Sequence, residues 1–214
     1  LSRHGGDRLF THYMPEQMVR DAIRCLADFE RPPVLLIDPD GAPHDIVMSP
    51  LHLDVPVYRE YAAAHEGYVI VADVLEEHPA VSRVVGMFMS EPRWRISDYK
   101  SHLTRVLGDT IEHRSLDNLV YAPSHRILEL VEPGWTKWRG ITELKNLVTP
   151  DAECIIAFGD DHNDIDMLTH ADMSFAVANA VDAAREAADE DSPSNEEDGV
   201  ARTLREVFAE VLVR

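Results

Sequence analysis

The sequence predicts an α/β protein: a doubly wound parallel-sheet core, incomplete on its N-terminal side, joined to an α+β domain built on a mostly antiparallel sheet. Three observations carry this. From about residue 133 onward, helical and strand patterns alternate at the short spacing of a parallel sheet. Residues 15–132 instead group their strands, as antiparallel units do. Finally, the apolar run Ile155-Ile156-Ala157-Phe158 stops at Gly159-Asp160-Asp161-His162-Asn163-Asp164, and a helical pattern follows at once. Such a run reads as a buried parallel strand, and open α/β sheets bind their ligands at the carboxyl ends of such strands.

In chain order, residues 1–14 offer at most an edge hairpin of the core at Leu9–Tyr13. Pro15–Phe29 is an amphipathic helix: Pro15 suits the first turn, and Met18, Ala22, Cys25, Leu26 and Phe29 share one face. Pro33–Asp38 is a strand, turned by Pro39-Asp40-Gly41 into a second at Asp45–Met48. Val57–His65 is helical, Ser82–Met89 extended and Ile96–Leu107 helical. Extended pieces follow at Thr110–His113, Asn118–Tyr121 and Ile127–Val131, completing an inserted α+β domain over residues 15–132.

The core over residues 133–214 reads as helix Ile141–Val148, strand Cys154–Phe158, helix Asn163–His170, strand Met173–Val177, helix Ala180–Ala188 and helix Thr203–Val211. The acid-rich stretch Asp189–Asp198 is a solvated linker or a structured turn. Gly159 is expected to turn the backbone sharply, and Asn163 or Asp164 to cap the following helix. Two clear parallel strands do not close a core, so this part looks incomplete.

The 214 residues carry a formal charge of −19. That balance argues against nucleic acid, whose recognition rests on clustered Lys and Arg. No run approaches the ~20 apolar residues of a membrane span, and the polar start shows no signal peptide. Cys25 and Cys154 read as core thiols of a reducing, cytoplasmic environment. The oxygen-rich turn at 160–164 suits Mg²⁺, and Mg²⁺ in turn favours a phosphate substrate. An acidic protein handling phosphate also needs a local cation. His162 lacks a second His or Cys at ligand spacing and is read as exposed or supporting. Trp135 and Trp138 read as packing groups.

Gly159-Asp160-Asp161-His162-Asn163-Asp164 resembles the G-D-x-x-N-D signature of the haloacid dehalogenase superfamily. The stretches Ala176-Val177-Ala178-Asn179-Ala180 and Asn195-Glu196-Glu197-Asp198-Gly199-Val200-Ala201 are similar to those of its Cof-type, large-cap phosphatases. So is Leu128–Lys137, which ends in the motif lysine. Gly5-Gly6 resembles the small-residue turn before the cap. The resemblance implies a cap over residues 15–132 that closes on the site. It also implies phosphoryl transfer to an aspartate and then to water, with a second Asp protonating the leaving group and Mg²⁺ screening charge. Carried over, Lys137 neutralises the nucleophile and phosphate, Asp160 binds Mg²⁺ with Asp164 in support, and Asn163 orients phosphate. The substrate implied is a small phosphorylated metabolite, with a sugar phosphate first.

The sequence departs from the family where a D-x-D-G-T strand loop should precede the cap, for nothing before residue 15 supplies one. Val34–Gly41 mimics it, with Asp38 as nucleophile, Asp40 as acid/base and Ser90 as hydroxyl partner. Ala42 stands in place of Thr, however, a helix precedes the strand, and Asp-Pro-Asp-Gly is a ready hairpin turn. The expectation is therefore a nucleophile outside this chain, because the chain is either part of a longer protein or a degenerate member, and an inactive 214-residue chain. Two alternatives stand beside it: a non-catalytic phosphate- and metal-binding protein, and a shorter hydrolase using Asp38 and Asp40. His44, His52, Arg93 and His125 are candidate substrate contacts that read first as surface residues.

Overall fold

The structure, a computed structural model, describes residues 9–39, 43–117 and 122–212. Gly5-Gly6, Asp40 and the extended piece at Asn118–Tyr121 lie outside the described residues. The chain divides into two compact units, Ser2–Pro133 and Gly134–Arg214.

The first unit contains α1 (Glu16–Phe29), β1 (Val34–Ile37), β2 (Ile46–Met48), α2 (Pro56–Ala64), β3 (Val69–Val71), β4 (Val84–Pro92), α3 (Ile96–Leu107), β5 (Glu112–Asp117) and β6 (His125–Val131). Its sheet runs β3-β2-β1-β4-β6-β5, antiparallel except where β2 meets β3. Period-2 alternation sorts the side chains. Met87 pairs with Leu130 and Met89 with Leu128, and all four are buried with Leu35 and Ile37. Val19, Ala22, Ile23 and Leu26 of α1 and Tyr99 and Leu103 of α3 complete that core. The other face places Val34, Ile46 and Met48 against Val57 and Tyr58 of α2. Beside α2 it leaves a cavity of about 230 Å³ between Tyr61, Phe88, Ile127 and Glu129.

The second unit contains α4 (Lys137–Val148), β7 (Ile156–Gly159), α5 (Ile165–His170), β8 (Met173–Val177), α6 (Asp182–Ala187), β9 (Glu190–Ser192) and α7 (Gly199–Leu212). Its three strands are parallel, in the order β7-β8-β9. Leu168 of α5 packs with Ala157 of β7 and Ala184 of α6. Together the units have the α/β architecture with the parallel core that the sequence predicts.

Several details differ from the sequence reading. Residues 9–14 form no strand. Instead the Met14 N–H donates to Val84 O (2.8 Å), so this segment packs on the antiparallel unit rather than as an edge hairpin of the core. The three residues of β3 are too short to show a period. Residues 112–117 form one continuous strand, held by the β6 ladder from Glu112↔Val131 to Asp117↔Arg126. The acid-rich stretch contributes β9, whose backbone pairs with β8 while Glu190 and Asp191 stay exposed. Charged side chains on a short edge strand are a common protection against further pairing. A reciprocal bond set between Ser174 and Asp189 fixes the register: the Asp189 carboxylate accepts from the Ser174 N–H (2.9 Å) and hydroxyl (3.0 Å). Cys25 is buried as expected, but Cys154 is exposed because β7 starts two residues later, at Ile156. Among the described residues no helix is long and apolar enough to cross a membrane.

Candidate functional site: a lysine–carboxylate cluster at the end of the parallel strands

Strand β7 ends at Gly159, and its continuation builds the site. A 3-10 turn at His162–Asp164, capped by Asp161, precedes α5; Asp164 stands at the N-cap position of α5, as the sequence suggests, but makes no side-chain capping bond to that helix. Asp161 and Asp164 form a reciprocal capping box. The Asp164 Oδ2 accepts the N–H groups of Asp160 (3.0 Å) and Asp161 (3.3 Å). Its Oδ1 accepts from Lys137 Nζ at 2.5 Å. Asp164 is thus a buried carboxylate (3 % exposed) with both oxygens engaged.

Gly159 makes this closeness feasible. Its φ is not positive, so a sharp turn is not its role. A Cβ there would stand 2.6 Å from Asp164 Cβ and 3.0 Å from Leu168 Cδ1. The missing side chain is space that the buried carboxylate fills.

Lys137 opens α4, capped by Thr136, whose Oγ1 accepts the Arg139 N–H (3.2 Å). The lysine side chain is 47 % exposed, so its ammonium touches Asp164 and still faces solvent. The helix starts four residues earlier than its apolar pattern suggests. The signal for that start was in the sequence: a Thr immediately before the first helical residue.

The charges follow from this packing. Burial alone would raise the pKa of Asp164, but the Lys137 hydrogen bond and the two backbone amides outweigh it and hold the group below the ordinary carboxylate range. Asp160 shifts the other way. Partial burial, then its hydrogen-bonded contact with Asp164 and the charges of Asp164 and Asp161, raise its pKa, with Lys137 opposing. The exposed Asp160 carboxylate therefore sits in a local excess of negative charge that a cation would relieve. Across the sheet, the turn after β8 contributes Val181, whose N–H donates to Asp160 O (2.9 Å) and holds the Asp160 backbone.

The structure brings together Lys137, Asp160 and Asp164, with Asn163 half-buried in the same turn. His162 is exposed and bonds Asp161 through its ring Nδ1 (2.8 Å). Trp135 carries Arg139 4.1 Å over its ring, and Trp138 stacks on His170. Among the described residues no group of three or more His, Cys, Asp or Glu side chains has the arrangement of a metal cage. This donor set still fits Mg²⁺, which takes one or two protein carboxylates and fills its shell with water and phosphate oxygens.

Of the mimic motif, Asp38 and its hydroxyl partner Ser90 are described and Asp40 is not. Asp38 is buried and accepts from the Tyr13 hydroxyl at 2.5 Å. Ser90 is buried too, its N–H donating to the Tyr58 hydroxyl (2.6 Å). Among the candidate contacts, His52 is no surface residue. It is fully buried, edge-on to Tyr58, with Nδ1 on Ser49 O (3.1 Å). Arg93 reaches Pro123 O and His125 contacts Ser124.

A family model described as haloacid dehalogenase-like hydrolase matches residues 3–204. The chain is 36% identical over 110 residues to the 5-amino-6-(5-phospho-D-ribitylamino)uracil phosphatase YitU of Bacillus subtilis, covering 51% of this chain and 39% of that protein. It therefore spans well under two thirds of that relative's length. Among solved structures, it is similar to a haloacid dehalogenase-like hydrolase from Bacteroides thetaiotaomicron (24% identity, TM-score 0.67, 92% of this chain and 68% of that one). It is also similar to the subclass IIB sugar phosphatase BT4131 (20% identity, TM-score 0.67, 95% and 71%). At these identities the structural matches show the fold.

Proposed function

We propose that this chain, which belongs to the haloacid dehalogenase-like hydrolase family, carries the metal- and phosphate-binding half of a phosphatase acting on a small phosphorylated metabolite. The observation that carries the reading is the Lys137–Asp164–Asp160 cluster at the end of β7, where one exposed ammonium meets carboxylates of opposite pKa shift.

In this reading each group has a separate task. Asp164 is spent within the chain: it orients the Lys137 ammonium and braces the Asp160 and Asp161 amides. Lys137 offers its solvent-facing protons to phosphate oxygens, a charge-assisted contact stronger than a neutral one. The Asn163 amide lies within the same turn to align the phosphate. Asp160, with Asp164 in support, holds Mg²⁺, which when bound supplies a positive charge that screens phosphate from an attacking carboxylate. The Ser2–Pro133 unit takes the part of the family's cap, and the site of action is cytoplasmic.

The named relatives point to one substrate chemistry. YitU is named for a 5-phospho-D-ribityl compound and BT4131 as a sugar phosphatase. Both descriptions share a phosphate ester on a polyhydroxylated carbon chain, and that class is proposed here, with sugar phosphates first. The test is Mg²⁺-dependent release of phosphate from p-nitrophenyl phosphate and a panel of sugar and polyol phosphates, using protein expressed from the full natural reading frame. Turnover should vanish with Asp160→Ala and with Lys137→Ala. Turnover that survives both substitutions would refute the assignment.

A further inference from the structure

Helix α4 holds the phosphate-binding lysine at its first position, yet none of its residues is fully buried. An apolar core therefore does not locate its N-terminus. Side chains from α5 do so instead. The Thr136 hydroxyl donates to Asp166 Oδ2, and the same oxygen of Thr136 accepts the Arg139 N–H that starts the helix. The His170 Nδ1 is hydrogen-bonded to the main-chain carbonyl of Asp166 (2.8 Å) and also lies 3.2 Å from the other carboxylate oxygen, Oδ1. The His170 ring stacks on Trp138, centroids 5.8 Å apart and planes 20° from parallel. Asp166 thus joins two contacts that flank Lys137 in sequence, Thr136 before it and Trp138 after it.

We propose that Asp166 is a positioning residue: by accepting the Thr136 hydroxyl and engaging His170 beneath Trp138, it docks the first turn of α4 on α5 and keeps Lys137 Nζ on Asp164. A lysine has four rotatable side-chain bonds, and ordering it costs on the order of 2 kcal/mol of conformational entropy. One hydrogen bond to Asp164 offsets that cost only where the helix origin is already held. A plain helix-dipole role, with Asp166 a favourable charge in the first turn of α5, is the competing account. It requires the charge but not the acceptor geometry. The inference rests on Lys137 being the group that neutralises phosphate, and the experiment separates the two.

The experiment uses the 214-residue chain, with two readouts. One is the side-chain ammonium signal of Lys137 in lysine-selective ¹⁵N NMR, assigned by its loss in Lys137→Met. The other is the affinity for inorganic phosphate in the presence of Mg²⁺. Asp166→Ala should abolish the protected ammonium signal and weaken phosphate binding roughly tenfold, the scale of losing a supporting partner. Asp166→Asn, which keeps an acceptor for Thr136 but not the charge, should retain the signal, as should Thr136→Ser. Thr136→Ala, which removes the donor, should reproduce the loss and serves if Asp166→Ala does not fold. A signal unchanged in Asp166→Ala and Thr136→Ala would overturn the proposal, as would equal loss in Asp166→Asn. If the native chain shows the signal but binds no phosphate, the functional reading fails while the positioning role stands on the NMR result.

Discussion

The two units spend their buried positions differently. In Ser2–Pro133, the sheet and helices α1 and α3 enclose Leu26, Leu35, Met87, Met89, Leu103, Leu128 and Leu130, none more than 1 % exposed. In Gly134–Arg214 the buried apolar residues are smaller and fewer, Ala157, Leu168, Phe175, Ala176, Val177 and Ala184, and they lie beside the buried polar groups Asp164, Ser174, Ser192 and Thr203. Apolar burial is tolerant of small shifts, whereas a hydrogen-bonded carboxylate is not. The first unit buries polar groups as well, Glu91 and His52 among them, but around a large apolar core; the second sets its buried carboxylate, Asp164, in a much smaller one. Chemistry is expected where geometry is tight, and it is the second unit that carries the lysine and the acidic turn.

The comparison breaks most sharply under core truncation. Leu130→Ala in the first unit should cost about 2–5 kcal/mol in urea unfolding. Leu147→Ala on α4, at a residue 50 % exposed, should cost no more than about 0.5 kcal/mol. Comparable losses at both positions would mean that α4 is packed as tightly as β6.

Acid provides the next contrast. His52 is fully buried in the first unit, and burial lowers its pKa from 6.5 to about 4. The unfolded chain takes up the proton first as pH falls, so this contribution is complete above pH 6.5 and is lost towards pH 4. At 1.36 kcal/mol per unit it amounts to roughly 3 kcal/mol. The stability difference between native protein and His52→Asn should therefore shrink across that window. A constant difference from pH 7 to 4.5 would show that His52 titrates normally.

Smaller still is the effect of filling the space beside Asp164. Gly159→Ala should destabilise the second unit by about 1–3 kcal/mol through overpacking. Because the new methyl would meet Asp164 first, the protected Lys137 ammonium signal should disappear as well. Retention of both stability and signal would show that the turn yields easily.

How far the sequence could be read follows the same division. Helices α1 and α3 were legible because their apolar residues recur on one face, and β8 because its apolar run is bounded by turn residues. The cluster of Lys137, Asp160, Asn163 and Asp164 was legible as a motif, since its residues are chemically unusual at that spacing. What the sequence concealed depends on tertiary neighbours. β9 is a strand only because β8 lends it a ladder. His52 is buried only because β2 and α2 fold around it. Gly159 looked like a turn residue, and only the position of Asp164 shows that the reason is space. Asp164 read as a support for Asp160, and the sequence could not show which partners its oxygens take: Lys137 on one, the Asp160 and Asp161 amides on the other.

The account stands on Lys137 and the Asp160–Asp164 turn forming one phosphate pocket. Calorimetric titration of inorganic phosphate into the chain with saturating Mg²⁺ tests this most directly. Binding should weaken at least roughly tenfold in Lys137→Ala and in Asp160→Asn, and should be lost when Mg²⁺ is chelated. Phosphate affinity that is indifferent to both substitutions and to the metal would contradict it.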